Sequence, residues 1–268
     1  MFTNLFYLQT YIAQLIDTHS HIYSEEFDTD RDDMIQRAKN IGIEKILLPN
    51  IDKKSLQRML DTENRYSNYC FSAIGIHPTS INRNYDEELK LVHSELKRRK
   101  YIAIGEIGID LYWDKTFLKE QIRAFQTQIE WALEYNLPII IHQREAFEET
   151  MKTLLPYKNK GLRGVFHSFG GTVDEARKII DFGGFVMGIN GVVTFKNSKL
   201  SETLQYFSLE HFILETDAPY LTPIPFRGKR NESSYLKYIG DKMSEIFQTN
   251  FSEIDKITTN TAEKLFFK

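Results

Sequence analysis

Short, strongly apolar segments alternate along the chain with longer segments that are apolar on one side only. The short segments carry few polar residues, which is typical of parallel strands covered on both faces. There are eight of them: QLIDTH, KILLPNI, CFSAIGIH, YIAIGEIG, PIIIHQR, RGVFHSF, GFVMGIN and HFILETD. We predict a strand in each.

The intervening segments have the periodicity of amphipathic helices. Residues 30–42 and 172–184 both close on glycine, which commonly follows the last turn of a helix. Residues 119–136 place Phe125, Ile129 and Ala132 on one broad apolar face. Eight strands alternating with helices predict an α/β fold, a single-domain TIM-like (β/α)8 barrel. A doubly wound open sheet is the alternative.

Length and composition agree with such a barrel. The chain has 268 residues, close to the roughly 250 of a typical (β/α)8 domain. Hydrophobic residues make up 41% and charged residues 26% of the chain, as in ordinary globular proteins. The single cysteine, Cys70, excludes an internal disulfide and suits a reducing compartment. Because Cys70 lies in an apolar segment, we expect it to be buried and inert.

The N-terminal residues 1–14 precede the first predicted strand. They contain no lysine or arginine, and polar residues interrupt their apolar run, so we do not expect a signal peptide. No apolar segment approaches the roughly 20 residues of a membrane span. We therefore expect a cytoplasmic protein without membrane contact, with an N-terminal extension over 1–14 and one barrel over 15–268.

Residues with metal-binding side chains fall at the ends of six predicted strands. In a barrel, the C-terminal ends of all strands meet at one rim, where active sites are built. Five of the seven histidines lie there, whereas His93 falls in a predicted helix and His211 at the start of the last strand. The rim residues are His19, His21, His77, Glu106, His142, His167 and Asp217.

This set of side chains predicts a metal centre. His19 and His21 are two positions apart, so both rings would point to the same side of an extended strand. Nitrogen and oxygen ligands without thiolate suit Zn, Mn or Mg. A catalytic zinc usually takes three protein ligands, so the larger set present here favours two divalent ions with one carboxylate between them.

At these positions the chain resembles the TatD family of metal-dependent deoxyribonucleases, which are amidohydrolase-like hydrolases. The resemblance runs from about Leu15 to the C-terminus. It rests on DTHSH, GIHP, GEIGID, PIIIH, FHSFGG and ETDAPYLTPIPFRGKRNE, which follow the family's order and spacing. It implies a TIM-like barrel with a metal centre at its rim and hydrolysis of phosphodiester bonds in DNA.

The resemblance also implies roles for individual residues. His19, His21 and Asp217 correspond to ligands of a first ion, and His142 and His167 to ligands of a second. Glu106 corresponds to the carboxylate that bridges the two ions, and His77 to a histidine near the scissile phosphate.

Two departures from the family pattern lie in the loop after the last strand. Many family members have histidine where Phe226 stands, and many have Asn-Glu-Pro where this chain has Asn231, Glu232 and Ser233. These departures concern the shape of the loop and its substrate contacts rather than the metal ligands.

The chemistry of phosphodiester hydrolysis predicts which residues take part in catalysis and in substrate binding. Asp217 is positioned to ligate a metal and to accept the proton of the attacking water, and Glu106 completes the catalytic pair. Because the net charge of −3 gives no global attraction for DNA, phosphate binding requires a local patch. Arg227, Lys229 and Arg230 follow the last strand on the metal side and are the candidates.

Other basic and aromatic residues lie outside the motifs quoted above. The cluster at 97–100 precedes the fourth strand, so we expect it on the opposite face as a solvated helix end. Tyr112 and Trp113 follow Glu106 in a rim loop, where they would either stack on a base or cap the barrel mouth.

The sequence therefore favours a nuclease that acts on single-stranded DNA or DNA ends, and we expect it to remove terminal nucleotides. One alternative is a hydrolase of a small amide, lactone or phosphoester on the same centre. A second alternative is a non-catalytic metal-binding or nucleic-acid-binding protein. No motif indicates an obligate protein partner.

Overall fold

The computed structural model describes residues 13–268. The eight predicted strands are all present, and each is parallel to its neighbours. They are β1 Leu15–Asp17, β2 Ile43–Pro49, β3 Cys70–Ala73, β4 Ile104–Asp110, β5 Ile139–Arg144, β6 Gly164–Phe166, β7 Phe185–Ile189 and β8 Phe212–Leu214. Most of the predicted extension 1–14 lies outside the described residues, so its structure stays a prediction.

Helices connect the strands and surround them. Within the described residues they are α1 Arg31–Asn40, α2 Lys53–Arg65, α3 Tyr85–Arg98, α4 Leu118–Glu134, α5 Phe147–Leu154, α6 Val173–Phe182, α7 Leu200–Leu204, α8 Leu236–Phe247 and α9 Phe251–Phe266. The three helices predicted from periodicity correspond to α1, α4 and α6. At the start of α6, the Thr172 side chain accepts from the Glu175 N–H, and the Glu175 carboxylate accepts from the Thr172 N–H.

The strands form two continuous ladders that join into one barrel. Strands β1 to β3 form one ladder and β4 to β8 the other. Parallel bridges between Ile74 and Ile104 and between Ser20 and Ala218 connect the two ladders at both junctions. The Thr18 N–H also donates to the Leu214 carbonyl, at 3.1 Å, across the second junction. The closed barrel is confirmed, and the alternative of an open sheet is excluded.

Apolar residues at or next to all eight strands pack together in one cluster. Its members are Ile16, Leu47, Ala73, Ala103, Ile140, Val165 and Ile213, with Val186 packed against them. The end of α9 contributes Leu265 and Phe266 to the same cluster. We interpret it as a layer of the barrel interior, closed at the N-terminal end of the strands by α9.

This interior layer determines where the polar side chains at the rim point. Side chains two residues apart along a strand share a face. His142 therefore continues the face of Ile140, and His167 continues that of Val165. The alternation of side-chain direction along each strand thus places these imidazoles at the rim, on the same face as the apolar interior residues.

Other features agree with the sequence-based predictions. Cys70 is buried and unpaired at the start of β3, where burial raises the pKa of its thiol. His93 lies in α3 and stacks on Trp131, while His211 directly precedes β8. Within residues 13–268, no helix combines the length and apolarity that crossing a bilayer requires.

Candidate metal centre

The segment after β1 brings His19 and His21 together at the rim. The strand ends at Asp17, so the two residues lie beyond its regular part rather than on one extended strand. The segment is held instead by the loop after β8: the His21 N–H donates to the Ala218 carbonyl at 2.7 Å, and the Asp217 N–H donates to the His19 carbonyl at 2.9 Å. The predicted convergence is confirmed, because the two Nε2 atoms are 3.1 Å apart.

Asp217 completes this group of side chains. Its Oδ1 lies 3.5 Å from the His21 Nε2 and 3.8 Å from the His19 Nε2. The residue has a positive φ of 58°, in the left-handed region that non-glycine residues seldom adopt. Such conformations cluster at functional sites, where the surrounding structure holds them in place.

Glu106 lies at the centre of the histidine cluster and is only 2% exposed. Its Oε2 faces His19 and His21, with distances to their Nε2 atoms of 3.2 and 3.7 Å. Its Oε1 faces the other side of the cluster and lies 2.9 Å from the His142 Nδ1 and 3.7 Å from the His167 Nε2. The two carboxylate oxygens thus serve two separate groups of imidazoles.

The electrostatics of the cluster keep its carboxylates ionised. Burial alone would raise the pKa of Glu106, but the imidazoles of His77, His19 and His167 hold it well below its usual range. Burial likewise opposes ionisation of Asp217, and the same kind of neighbour lowers its pKa. His167 shows the reciprocal effect: although burial disfavours its charge, Glu215, Glu106 and Asp217 raise its pKa to about 10.

A tyrosine fixes the proton of His21. The Tyr23 hydroxyl donates its single proton to the Pro49 carbonyl, with an O···O distance of 2.6 Å. The same oxygen lies 2.8 Å from the His21 Nδ1, so it must accept a proton from that nitrogen. In the neutral ring Nε2 then carries a lone pair, directed at His19 and Asp217. This is the tautomer that a metal ligand requires.

In His142 and His167, the ring nitrogen that faces away from Glu106 lies next to a carboxylate. Asp110 Oδ2 lies 2.8 Å from the His142 Nε2, which leaves Nδ1 directed at Glu106. Glu215 Oε1 lies 2.9 Å from the His167 Nδ1, on the side away from the cluster, within ion-pairing distance but without the alignment of a hydrogen bond. Partners of this kind orient metal-binding histidines and raise their basicity. The His19 Nδ1 is buried and has no hydrogen-bond partner among residues 13–268.

His77 has the opposite tautomer. Its Nδ1 accepts from the Thr79 N–H at 3.1 Å, so the proton of the neutral ring lies on Nε2. Burial lowers the pKa of His77 and so favours this neutral form. The Nε2 is 3.1 Å from the His142 Nδ1 and 3.4 Å from the Glu106 Oε1. His77, Glu106 and His142 lie close enough together to surround an ion. In this tautomer, however, the His77 Nε2 carries a proton and has no lone pair to offer a metal.

Sequence reasoning missed Tyr23, Asp110 and Glu215. Asp110 closes the motif GEIGID, Glu215 opens the motif ETDAP, and Tyr23 lies two residues after His21, just beyond DTHSH. Their proximity to the motifs was therefore a usable signal. Their function could not be predicted from the sequence, because the ring nitrogen that each residue contacts depends on the tertiary structure.

An open cleft of about 760 Å³ gives access to the cluster. Glu106, His142, His167 and Asp217 line its floor, and Trp113 and Arg144 are among the residues of its wall. The donor set, imidazole nitrogen and carboxylate oxygen around a buried space, fits one or more divalent ions. The residues of this chain therefore suit a metal cofactor.

The predicted phosphate-binding residues have different environments. Arg227 and Lys229 are exposed, with Arg227 stacked 3.8 Å from the Phe195 ring centre. Arg230 instead donates to both oxygens of Asp30, at 2.7 Å each, and covers the Phe27 ring. This ion pair gives Arg230 a structural role at Asp30, directly before α1, and a contact of Arg230 with phosphate stays a prediction.

The basic cluster at 97–100 spans the end of α3 and the start of the segment that leads into β4. Within it, Arg98 pairs with Glu95 at 2.5 Å and Arg99 pairs with Glu63. The cluster precedes β4, so it lies at the N-terminal end of the parallel strands, away from the metal centre. This agrees with the sequence-based expectation.

The two departures in the loop after β8 have structural consequences. Phe226 stacks on Tyr235, with ring centres 4.3 Å apart, and so packs the loop against the start of α8. The Asn231 side chain donates to the carbonyls of Thr216 and Tyr220, and Glu232 accepts from Arg37. These contacts set the shape of the loop without involving the metal-binding side chains.

A buried cluster of histidines and carboxylates at the C-terminal rim of a (β/α)8 barrel is typical of metal-dependent hydrolases, and comparison with known proteins places the chain in this class. The model of the family described as TatD related DNase matches residues 16–267. The chain belongs to this family. The predicted family, fold and enzyme class are thereby confirmed.

Individual relatives cover nearly the whole chain. The metal-dependent hydrolase YabD of Bacillus subtilis is 38% identical over 253 residues, covering 94% of this chain and 98% of YabD. The 3'-5' ssDNA/RNA exonuclease TatD of Pectobacterium carotovorum is 29% identical over 258 residues, covering 94% of this chain and 99% of the relative. The crystal structure of the TatD homologue YjjV of Escherichia coli superimposes with a TM-score of 0.88 at 28% identity, covering 96% and 99% of the two chains.

The hydrogen bond behind His21 yields a first prediction. Replacing Tyr23→Phe removes the acceptor that fixes the His21 tautomer, so the affinity for the metal bound by His21 should fall about 10–100-fold. Isothermal titration calorimetry of the metal-stripped protein with Zn or Mn measures this affinity. Tyr69→Phe is the matched control, because the buried Tyr69 hydroxyl has no partner among the described residues. Equal affinities for the two variants would contradict the assignment.

The ion pair of Arg230 yields a second prediction. Hydrogen bonds from Arg230 and Arg37 lower the pKa of Asp30 to about 2. A depressed pKa stabilises the folded state above the unfolded pKa, and this contribution is lost as the pH falls through about 2. Asp30→Asn should therefore cost about 1–2 kcal/mol at pH 7 and progressively less below pH 4.

Chemical denaturation at a series of pH values measures this cost. The control is Asp174→Asn, because Asp174 forms an exposed pair with Arg177 at 3.8 Å that should contribute almost nothing. A cost for Asp30→Asn that does not change between pH 7 and pH 3 would contradict the structural role of the pair.

Proposed function

We propose that this chain is a deoxyribonuclease that hydrolyses phosphodiester bonds in single-stranded DNA or at DNA ends, removing terminal nucleotides, with two divalent ions at the rim. The observation that supports this most strongly is that the two carboxylate oxygens of Glu106 face different histidines. Its Oε2 faces His19 and His21, while its Oε1 faces His142 and His167. The relative from Pectobacterium, named as an exonuclease on single-stranded DNA and RNA, supports the choice of substrate.

In this proposal His19, His21 and Asp217 hold the first ion and His142 and His167 the second, with Glu106 shared between them. When bound, Zn, Mg or Mn supplies neutralisation of phosphate charge and a water of lowered pKa. The chain contributes the ionised Asp217 carboxylate, which takes up the proton of the attacking water. Arg227 and Lys229 bind phosphates further along the strand. The cytoplasmic location stays a prediction.

His77 has a different part in this proposal. Because its proton lies on Nε2, it donates a hydrogen bond rather than a lone pair into the site. A donor beside Glu106 is suited to an oxygen of the scissile phosphate, where charge develops during hydrolysis. The tautomer therefore supports the substrate-side role over that of a metal ligand.

The central experiment is nucleotide release from a labelled single-stranded oligonucleotide by metal-stripped protein, with and without added Mg, Mn or Zn. We expect mononucleotides only when metal is present. Glu106→Gln should lower metal content and reduce turnover at least a hundredfold, because a neutral amide cannot bind two cations as a carboxylate does. The control is Glu95→Gln, another buried carboxylate, which pairs with Arg98 far from the centre.

Two results would contradict the proposal. Glu106→Gln protein that degrades DNA at the parent rate with added metal would remove the shared carboxylate from the mechanism. Parent protein that hydrolyses small amides, lactones or phosphoesters, but releases no nucleotides, would favour the alternative substrate class on the same centre.

The tautomer of His77 predicts how two neighbouring histidines differ. His77→Ala should lower kcat about a hundredfold, as expected for loss of a donor to the reacting phosphate, with metal content unchanged. His142→Ala should lower metal content itself. Mass spectrometry of the bound metal, combined with kcat, separates the two effects. His77→Ala protein that loses as much metal as His142→Ala protein would make His77 a ligand.

A further inference from the structure

Arg144 stands next to the metal centre without an ionic partner. It ends β5, two residues after His142, and therefore lies on the same face of the strand. Its side chain lines the cleft above the cluster and is exposed. Among residues 13–268, no carboxylate lies within ion-pairing distance of its guanidinium, in contrast to Arg230. A cation beside a phosphate-binding site that no carboxylate neutralises is available to an anion.

Two aromatic rings hold this guanidinium in place. Its carbon lies 3.7 Å from the ring centre of Tyr112 and 5.4 Å from that of Trp113, both within the range of cation–π contacts. Tyr112 and Trp113 themselves meet edge to face, with centres 4.9 Å apart. The three side chains therefore form one cluster, although each is exposed to solvent.

The cluster has a fixed position relative to the candidate ligand His142. Asp110 Oδ1 accepts from the N–H groups of Tyr112 and Trp113, at 2.9 and 3.2 Å. The other oxygen of the same carboxylate lies 2.8 Å from the His142 Nε2. One buried side chain thus connects the aromatic loop to the metal centre, so the rings keep a defined distance from the place where chemistry occurs.

Trp113 presents an unusually large apolar surface beside this centre. Its side chain is 70% exposed, and its ring lines both the metal cleft and an adjoining groove of about 460 Å³. That groove contains Lys53 and Lys54, but also the carboxylates of Asp52, Glu88 and Asp114. The mixed charge makes the groove a poor path for a polyanion. A nucleic-acid strand that leaves the candidate metal centre is therefore better accommodated along Arg144 and the exposed face of Trp113.

We infer that Trp113, Tyr112 and Arg144 form a nucleotide-binding subsite adjacent to the scissile phosphate, which rests on the proposed nuclease function. The Trp113 ring stacks on the base, and the Arg144 guanidinium binds the neighbouring phosphate. Stacking accepts any base, because every base has a π face, so the subsite favours unpaired strands without selecting a sequence. Arginine is suited to the phosphate because its planar donors can bind two oxygens at once.

The test compares oligonucleotides that each lack the base at one position. Phosphorothioate linkages prevent turnover, and calorimetry measures the dissociation constant for the metal-loaded protein. In the parent protein, one abasic position near the bound end should weaken binding about tenfold. Trp113→Ala should weaken binding of the intact strand by the same factor and abolish the further effect of that abasic position. Trp113→Phe should retain most of the affinity, since phenylalanine also stacks.

Arg144→Gln should flatten the dependence of log Kd on log salt concentration by about 0.7, the value for one phosphate contact on a single strand. The matched control is the double variant Lys53→Ala/Lys54→Ala, which removes two cations from the adjoining groove and should change neither the Kd nor the slope appreciably. All variants should keep the metal content of the parent, because none of these side chains is a ligand.

The inference is overturned if the abasic effect persists undiminished in Trp113→Ala, or if the lysine variant flattens the salt dependence as Arg144→Gln should. Parent protein that releases nucleotides while both Trp113→Ala and Arg144→Gln bind DNA as it does would refute the subsite and leave the nuclease function intact. Parent protein that neither binds oligonucleotides nor releases nucleotides would overturn both.

Discussion

The ionised carboxylate of Glu106, buried among imidazoles, is the interaction on which the rest of the site depends. An isolated charge in a protein interior is so unfavourable that the group would normally take up a proton. Here the surrounding histidines reverse that tendency and hold the pKa of Glu106 well below its usual range. A carboxylate that stays charged while fully buried is prepared to bind cations, and its two oxygens face two different sets of imidazole nitrogens.

The barrel makes this arrangement possible because it brings distant parts of the chain to one rim. His19 and Asp217 are far apart in sequence, yet backbone hydrogen bonds join their segments directly where β1 meets β8. On β5 and β6, the alternation that buries Ile140 and Val165 also directs His142 and His167 into the site. The apolar interior thus orients the polar groups as well as stabilising the fold.

A further set of residues determines what each imidazole can do. Tyr23 and Thr79 leave His21 and His77 with opposite tautomers, so one ring offers a lone pair and the other a proton. Asp110 connects His142 to the loop that carries Tyr112 and Trp113. In the proposed function, Asp110 would therefore link the binding of metal by His142 to the positioning of substrate by the aromatic loop.

The sequence predicted the barrel and the clustered side chains, because the chain contains eight short apolar segments and residues with metal-binding side chains follow six of them. It predicted the convergence of His19 and His21 for a partly incorrect reason, since both lie beyond the regular strand. It could not predict the environments of Arg230 or Arg144. Whether a surface arginine pairs with a carboxylate, as Arg230 does with Asp30, or rests on aromatic rings, as Arg144 does, depends on contacts between distant segments.

The most direct test of this account is anomalous diffraction from crystals grown with Mn or Zn, which locates bound ions independently of activity. The account predicts two ions at the rim, one bound by Glu106 Oε2 and the His21 Nε2 and the other by Glu106 Oε1 and the His142 Nδ1. For Zn, the distances to these ligand atoms should be about 2.0–2.2 Å. A single ion, or two ions neither of which contacts Glu106, would contradict it.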